Sequence, residues 1–394
     1  MTGQAPNIAA LPLGAAIALG LSRFSYGLLL PSMRADLGWT YLLAGAMNTA
    51  NALGYLIGAL ATPWLMRRVS PQRLLLVGAL LTGVFMMVSG LVTATGILLL
   101  QRILAGISSA FIFIAGGILA ARLGALHPGR SGLLLGLYYG GTGFGIAASA
   151  LLVPAALSAA MTHAAAHRWQ WPWLALAALC FVATAIMALP IRGIPEAAPQ
   201  AGEHRPFRLR AFAFGLVGYF MFGVGYIGYM TFVVALLKQQ GMAASLITVF
   251  YGLLGLAVVA SSRIWAGMLD RFKGGESLAI LNGLLGIATI LPALTAAPLL
   301  VFLSGLMFGA VFLSVVASTT SLVRHNLPPQ SWSAGISAFT TVFAFGQIIG
   351  PSVAGWIADR AGGLERGLIF SALALFAGAI LASRQRSLHA EMDK

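Results

Sequence analysis

Apolar segments of about 20 residues recur along almost the whole chain, and each can cross the roughly 30 Å hydrocarbon core of a bilayer. Of the 394 residues, 59% are hydrophobic and only 8% are charged. Because lipid offers the backbone no hydrogen-bond partners, such segments are expected to form helices. The pattern predicts an all-α integral membrane protein with twelve transmembrane helices. The approximate spans are 8–30, 41–66, 74–95, 97–121, 132–158, 170–190, 211–237, 244–268, 278–297, 299–323, 332–357 and 367–383.

The net charge of +14 is concentrated in the segments between these spans. If the N-terminus is cytoplasmic, fifteen Lys and Arg residues fall in cytoplasmic segments and five in outer segments. This bias is the positive-inside rule. It predicts a multi-pass protein of the plasma membrane, in a bacterium the inner membrane, with both termini cytoplasmic. We therefore expect the lipid bilayer as a partner and no nucleic acid.

The chain divides into two similar parts. Residues 191–210 are polar and rich in proline, and six predicted spans lie on each side of them. The fifth span contains TGFGIAASA, and the eleventh contains FAFGQIIGP at the matching place. We predict a six-helix bundle over 1–190, a cytoplasmic linker over 191–210, and a second six-helix bundle with a short cytoplasmic tail over 211–394. A repeated six-helix unit is typical of transporters that work by alternating access.

Within the predicted spans the only charged or histidine residues are Arg23, Arg102 and Arg263. A charge in hydrocarbon normally faces a partner or a cavity, and no carboxylate lies in a span. This suggests that the missing counter-ion is an anionic substrate. Arg23 and Arg102 lie at similar depths, Arg23 roughly 10 Å below the outer surface, and together could hold a carboxylate. Two alternatives stay open: Arg102 bonds backbone carbonyls, or Arg23 snorkels to the headgroups.

Several motifs resemble the major facilitator superfamily over the full length. Residues 267–274, GMLDRFKG, resemble its G-x-L-x-D-R-x-G loop signature with the Asp-Arg pair one position earlier, and Arg102 to Gly106 match its R-x-x-x-G signature. Residues 350–360 are also similar to the superfamily, and residues 23–31 resemble its YbfB/YjiJ-type branch. The resemblance implies two six-helix bundles around a central cavity. It also implies that the loop residues Asp270 and Arg271 gate one conformation, with Arg67 and Arg68 in the degenerate equivalent loop.

The segment around Arg263 resembles the eighth span of monocarboxylate and oxalate-type carriers, in which an arginine contacts the substrate carboxylate. The resemblance implies the same role for Arg263. The aspartate that monocarboxylate carriers place one turn earlier is Val259 here. Pairing of Arg263 with Asp270, or snorkelling inward, is the alternative.

Further cavity candidates are polar and aromatic residues that recur at helical spacing, as along one face of the seventh span. We select Tyr26, Asn51, Tyr139, Tyr226 and Gln347 as substrate contacts. Aromatic walls with a few polar groups suit a small organic ligand. The alternative is that these side chains join helices to one another.

These observations predict a secondary active or facilitated transporter of a small organic anion, a carboxylate. No titratable acid or histidine lies in a span, so a proton would accompany the substrate, or a second anion would be exchanged, or transport is facilitated. We expect no enzymatic activity, cofactor or metal site, and a monomer. The alternatives are an exporter of drugs or neutral metabolites with structural arginines, and a receptor-like membrane protein without transport. The fifth span lacks the Gly-Pro pair typical of drug antiporters.

Overall fold

A computed structural model describes residues 10–126, 131–192, 194, 209–328 and 331–388. The regular structure of these residues is helical throughout. The helices are α1 (Pro12–Leu37), α2 (Tyr41–Leu65), α3 (Pro71–Ser89), α4 (Thr95–Leu126), α5 (Ser131–Thr162), α6 (Gln170–Arg192), α7 (Ala213–Gln239), α8 (Ala244–Ile264), α9 (Ala266–Arg271), α10 (Glu276–Leu294), α11 (Pro298–Asn326), α12 (Trp332–Ala358) and α13 (Gly363–Ala382).

Twelve of these helices are long enough to cross a membrane, and α9 is a single short turn beside α8. In the described part of the chain, eleven helices also meet the hydropathy expected of a span. The twelfth long helix, α2, has 25 residues and contains polar residues that bond other helices, such as Asn48 and Thr49. The predicted fold of twelve transmembrane helices in two six-helix bundles is confirmed.

The helices extend beyond several predicted spans. Helix α1 continues to Leu37, so Arg34 and Asp36 lie on it, and α11 continues to Asn326 and carries Arg324. The predicted spans therefore contain only three charged side chains, whereas the full helices contain more. The predicted eighth span, 244–268, was too long, because the chain leaves the α8 helix at Trp265 and starts α9.

The α1–α2 turn is set by local sequence. Gly38 ends α1 in the left-handed conformation, with φ of 63°, which glycine adopts without a Cβ clash. Thr40 then caps α2, its hydroxyl accepting a hydrogen bond from the Leu43 N–H. The N–H groups of Tyr41 and Leu42 begin the helix and have no acceptor within it. This turn leaves two backbone donors free to bond another part of the molecule.

The first half of the protein contains α1–α6 and the second contains α7–α13. The linker predicted between them lies largely outside the described residues, and its bounds remain a prediction. We call the ends at residues 34–42, 237–244 and 358–363 the closed side. The opposite ends, at residues 65–71 and 264–276, are the open side.

The halves join at the closed side through contacts onto backbone. The Asp359 carboxylate at the end of α12 accepts hydrogen bonds from Tyr41 N and Leu42 N, at 2.7 and 2.8 Å. Thr49 donates to Ile348 O at 2.7 Å. Deeper, Asn48 donates to Thr231 at 2.7 Å and Tyr251 donates to Phe24 O at 2.6 Å. Each bond links the first half to the second.

At the open side the halves separate. Contact between α5 and α8 reaches Gly140, where a Cβ would lie 3.7 Å from Val259. Tyr139, one residue closer to the open side, is 36% exposed. Among the described residues, no hydrogen bond joins the halves beyond this level. In the part of the chain that the structure describes, the hydrogen bonds between the halves therefore lie at the closed side and just below it.

Candidate functional site

Arg23 lies between the halves, just beneath the layer that closes them. Its side chain is 3% exposed, yet Nε and Nη2 have no hydrogen-bond partner in the part of the chain that the structure describes. The adjacent Phe24 packs edge-on against Phe312 of the second half, with ring centroids 5.6 Å apart. Arg23 therefore presents unused donors directly below the inter-half contact.

The backbone around Arg23 is a π-helix over Ala16–Phe24. It closes with a bond from Ser25 N to Gly20 O, five residues earlier, at 3.1 Å. Gly20 packs so tightly on α5 that a Cβ there would lie 2.5 Å from Gly145 Cα. Such wide turns are frequent at functional sites. The turn fixes where Arg23 lies relative to α5.

Tyrosines from both halves surround Arg23. The Arg23 guanidinium carbon is 6.0 Å from the centroid of the Tyr55 ring, at the limit for a cation–π contact. The Arg23 charge also acts on the Tyr226 hydroxyl, and the hydroxyls of Tyr139 and Tyr226 lie within electrostatic range of Tyr55. Tyr226 donates to Gln347 Oε1 at 2.8 Å. We call Arg23, Tyr55, Tyr139, Tyr226 and Gln347 the Arg23 cluster.

Stacked aromatic rings form one wall behind this cluster. Tyr226 stacks on Phe222 with centroids 4.7 Å apart, and Tyr219 stacks on Phe343 at 4.8 Å. Tyr219, Phe222 and Tyr226, on one face of α7, all stack on Phe343 of α12. Tyr229, on the same face, stacks on Phe308 and bonds Ser304 instead. The stack makes the second-half wall rigid and mainly apolar.

Arg102 is buried like Arg23 but fully engaged by the protein. Its Nη1 donates to Ser22 O at 2.7 Å, its Nη2 to Asn48 Oδ1 at 2.9 Å, and its Nε to Met47 O at 3.4 Å. Its guanidinium also lies over the Tyr26 ring, 5.1 Å from the centroid. Two of these acceptors are backbone carbonyl oxygens. The contacts therefore fit the alternative in which Arg102 bonds backbone carbonyls.

Two other predicted substrate contacts also serve packing. Tyr26 is fully buried and donates to Ala44 O at 2.8 Å, so its hydroxyl is used within the first half. Asn51 donates to Arg102 O at 3.1 Å, while its Oδ1 is buried without a partner among the described residues. Asn51 thus keeps one free acceptor, and Tyr26 keeps no free donor.

Arg263 does not join Arg23 in the interior. It is the second-last residue of α8 and its side chain is exposed, one turn beyond Val259 on the α5-facing side. The predicted span ended at residue 268, beyond Arg263, whereas α8 ends at Ile264. The gating candidates Arg67, Arg68, Asp270 and Arg271 are likewise exposed on the open side. Among the described residues Asp270 forms no ion pair, and its gating role stays a prediction.

Two residues of interest were absent from the predicted site. Tyr55 follows Asn48 and Asn51 at helical spacing, so the sequence contained its signal. Asp359 was noted only within a motif, and its partner Tyr41 is 318 residues away in sequence. No local pattern identifies such a contact.

Comparison with known proteins agrees with the overall fold. The family described as "Uncharacterised MFS-type transporter YbfB" matches residues 15–383. A bacterial homolog of the human lysosomal transporter Spinster, solved in an inward-facing and occupied conformation, is similar over 98% of both chains, with a TM-score of 0.74 and 15% identity.

Two further solved structures share the fold. The nucleoside transporter NupG has a TM-score of 0.68 and 13% identity, over 95% of this chain and 96% of that chain. The E. coli fucose:proton symporter FucP has a TM-score of 0.62 and 16% identity, over 95% and 97%. The predicted superfamily and its YbfB-type branch are thereby confirmed: this chain belongs to the YbfB-type transporters of the major facilitator superfamily.

Proposed function

We propose that the protein transports a small organic anion by alternating access, and that Arg23 recognises the anion's charge. The observation that carries the proposal is the buried guanidinium with free Nε and Nη2. Burying an ion costs several kcal/mol unless it is paired. In the described chain the one ion pair joins His167 to Asp36, away from Arg23. An anionic ligand supplies the missing partner.

The surroundings of Arg23 suit a carboxylate. A guanidinium offers donors in a planar fork that fits both oxygens of a carboxylate. The Tyr55 ring centroid of the first half lies 6.0 Å from the Arg23 guanidinium carbon, and the Tyr226 hydroxyl of the second half lies within electrostatic range of Arg23. A ligand held by Arg23 and Tyr226 would contact both halves, which favours an occluded state.

Arg102 takes a different part in the proposal. The Arg102 guanidinium lies within electrostatic range of Arg23. Its three nitrogens, however, already donate to protein oxygens. We assign it as a positioning residue that ties α4 to α1 and α2. Arg263 then meets the ligand at the open mouth.

The charge bias assigns the open side to the cytoplasm, so the described state faces inward. We propose a monomer in a plasma membrane, the bacterial inner membrane where the source is a bacterium, with both termini inside. The two bundles then span 1–190 and 211–394. Proton co-transport with the acid, anion exchange and facilitation all remain compatible with arginine, which does not titrate.

The test is thermal stabilisation of purified protein by a panel of organic acids, amines and sugars at two pH values. We expect carboxylates to raise the melting temperature in wild type and in Arg360→Gln, an exposed arginine over Trp356. Arg23→Gln should lose this response while remaining folded, because it removes an unpaired buried charge. Arg102→Gln should instead lower the melting temperature of the ligand-free protein, since its carbonyl partners lose their donor.

Uptake of the stabilising acid into proteoliposomes completes the test. Wild-type uptake by Arg23→Gln would overturn the proposal. Stabilisation by amines or neutral compounds alone would favour the exporter with structural arginines.

A further inference from the structure

A second basic site lies on the closed side, at the surface where the halves meet. A cavity of about 220 Å³ opens there between α1, α2 and α7. Its lining residues are Leu30, Pro31, Arg34, Ala35, Tyr41, Ala235, Lys238 and Gln239. This volume is several times the roughly 30 Å³ that one water molecule occupies in the liquid. It therefore has room for an anion of several heavy atoms.

Arg34 is held in this cavity by the aromatic ring of Tyr41. Its guanidinium carbon lies 3.8 Å from the ring centroid, a cation–π contact that fixes the plane of the group. The Arg34 Nε is enclosed and has no hydrogen-bond partner in the described ranges. Lys238, on α7 of the second half, is exposed on the opposite wall. The first half thus contributes the planar guanidinium of Arg34, and the second half contributes the ammonium group of Lys238 on a flexible side chain.

The carboxylates of the closed side contact other groups of the described chain. Asp36 accepts from His167 and Trp169 at 2.7 and 2.6 Å. Asp359 accepts from the backbone of Tyr41 and Leu42. Glu365 lies next to Gly363. Neither Arg34 nor Lys238 has an ion pair within the described chain.

We propose that this cavity binds a small oxyanion, a carboxylate or an inorganic anion of similar shape, between Arg34 and Lys238. The site is separate from Arg23, because the Phe24–Phe312 contact and the Asn48–Thr231 bond lie between them. An anion held by both halves binds the closed state more tightly than the open one. By linkage it stabilises closure of this side.

The experiment is protection of an engineered cysteine from alkylation. Ala35→Cys places a thiol on the exposed lining of the cavity, while the native Cys180 is buried. Uncharged maleimide is added to purified protein at constant ionic strength, with sodium succinate or sodium sulfate as the probe and sodium chloride as the reference. Ala297→Cys, exposed on the same side outside the cavity, is the matched control.

We expect at least one probe to slow alkylation of Ala35→Cys severalfold while Ala297→Cys is unaffected. Lys238→Gln should remove this protection, and because Lys238 is exposed the variant should fold normally. Arg34→Gln should do the same. Arg23→Gln should retain it, which separates this site from the proposed transport site.

Protection by succinate alone assigns a carboxylate site, and protection by both probes assigns a general oxyanion site. Equal alkylation with either probe and with chloride, or protection that survives Lys238→Gln and Arg34→Gln, overturns the proposal.

Discussion

The closed and open sides of the protein differ in the kind of group that they present. The closed side joins the halves through backbone: Asp359 accepts from two N–H groups, and Thr49 donates to a carbonyl. The open side presents exposed charges, including Arg68, Arg263 and Asp270, without an ion pair among the described residues. Backbone contacts demand an exact fit, whereas surface charges tolerate displacement. Closure of the two sides should therefore respond to different substitutions.

The largest effect is expected where two backbones touch. A Cβ at Gly45 would overlap Pro351 O across the closed side, whereas one at Gly267 on the open side would meet nothing within 4 Å. Overpacking costs about 1–3 kcal/mol, and about 1.4 kcal/mol changes a population tenfold. Gly45→Ala should reduce proteoliposome uptake tenfold or more, and Gly267→Ala should leave it near wild type. Equal uptake by the two variants would show that this contact does not limit closure.

The next effect concerns the Asp359 carboxylate. Asp359→Asn keeps one side-chain oxygen for two N–H donors and removes a negative charge from the start of α2. Hydrogen bonds to charged groups contribute about 1.5–3 kcal/mol, and the lower value already reduces the ratio of closed to open protein about tenfold. Spin labels at His163→Cys and Ala297→Cys, one on each half, report the separation by double electron–electron resonance.

The matched control for this variant is Glu365→Gln, a carboxylate of the same side that bonds no group of the first half among the described residues. Glu365→Gln should keep the wild-type distance distribution. If Asp359→Asn keeps it too, the two bonds add nothing to closure.

The sequence predicted the twelve spans and selected Arg23 as a candidate substrate contact, because a charge in an apolar segment is visible without a structure. It could not separate Arg23 from Arg102. That distinction depends on whether the backbone carbonyl oxygens of Ser22 and Met47 face the Arg102 guanidinium. Because every residue has a backbone carbonyl, the sequence does not indicate this contact.

Contacts between distant segments were also beyond the sequence. Asp359 ended a recognisable motif, yet its acceptor role requires knowing that α12 ends beside the start of α2. Arg263 was placed too deep because the end of α8 at Ile264 has no proline or glycine to mark it. Local composition thus predicts which segments cross the membrane, while their contacts follow from packing.

A smaller effect is expected at Thr49. Its hydroxyl donates to Ile348 O at 2.7 Å and lies 2.8 Å from the Ser352 hydroxyl. Thr49→Val keeps the shape and loses these bonds, which costs about 1 kcal/mol and lowers the ratio of closed to open protein about fivefold. Within the described ranges the Thr248 hydroxyl bonds only its own helix, at Ala244 O, so Thr248→Val is the control. The same spin-label pair should lengthen in Thr49→Val alone, and unchanged distances in both would remove Thr49 from the closing contacts.

The smallest effect should have the opposite sign. The superfamily resemblance predicts that Asp270 forms charge contacts when the open side closes, and in the present state it is exposed. Exposed ion pairs contribute about 0.2–1 kcal/mol, so Asp270→Asn should favour the present state by about fivefold or less. The His163/Ala297 label pair should then shift toward the shorter distance, whereas Asp359→Asn shifts it toward the longer one.

Glu276→Gln, an exposed acid on the same side, should leave that distance unchanged. A shift toward the longer distance in Asp270→Asn would mean that Asp270 stabilises the present state. The open side would then not depend on charge contacts for its closure, and the contrast with the backbone-held closed side would fail at this residue.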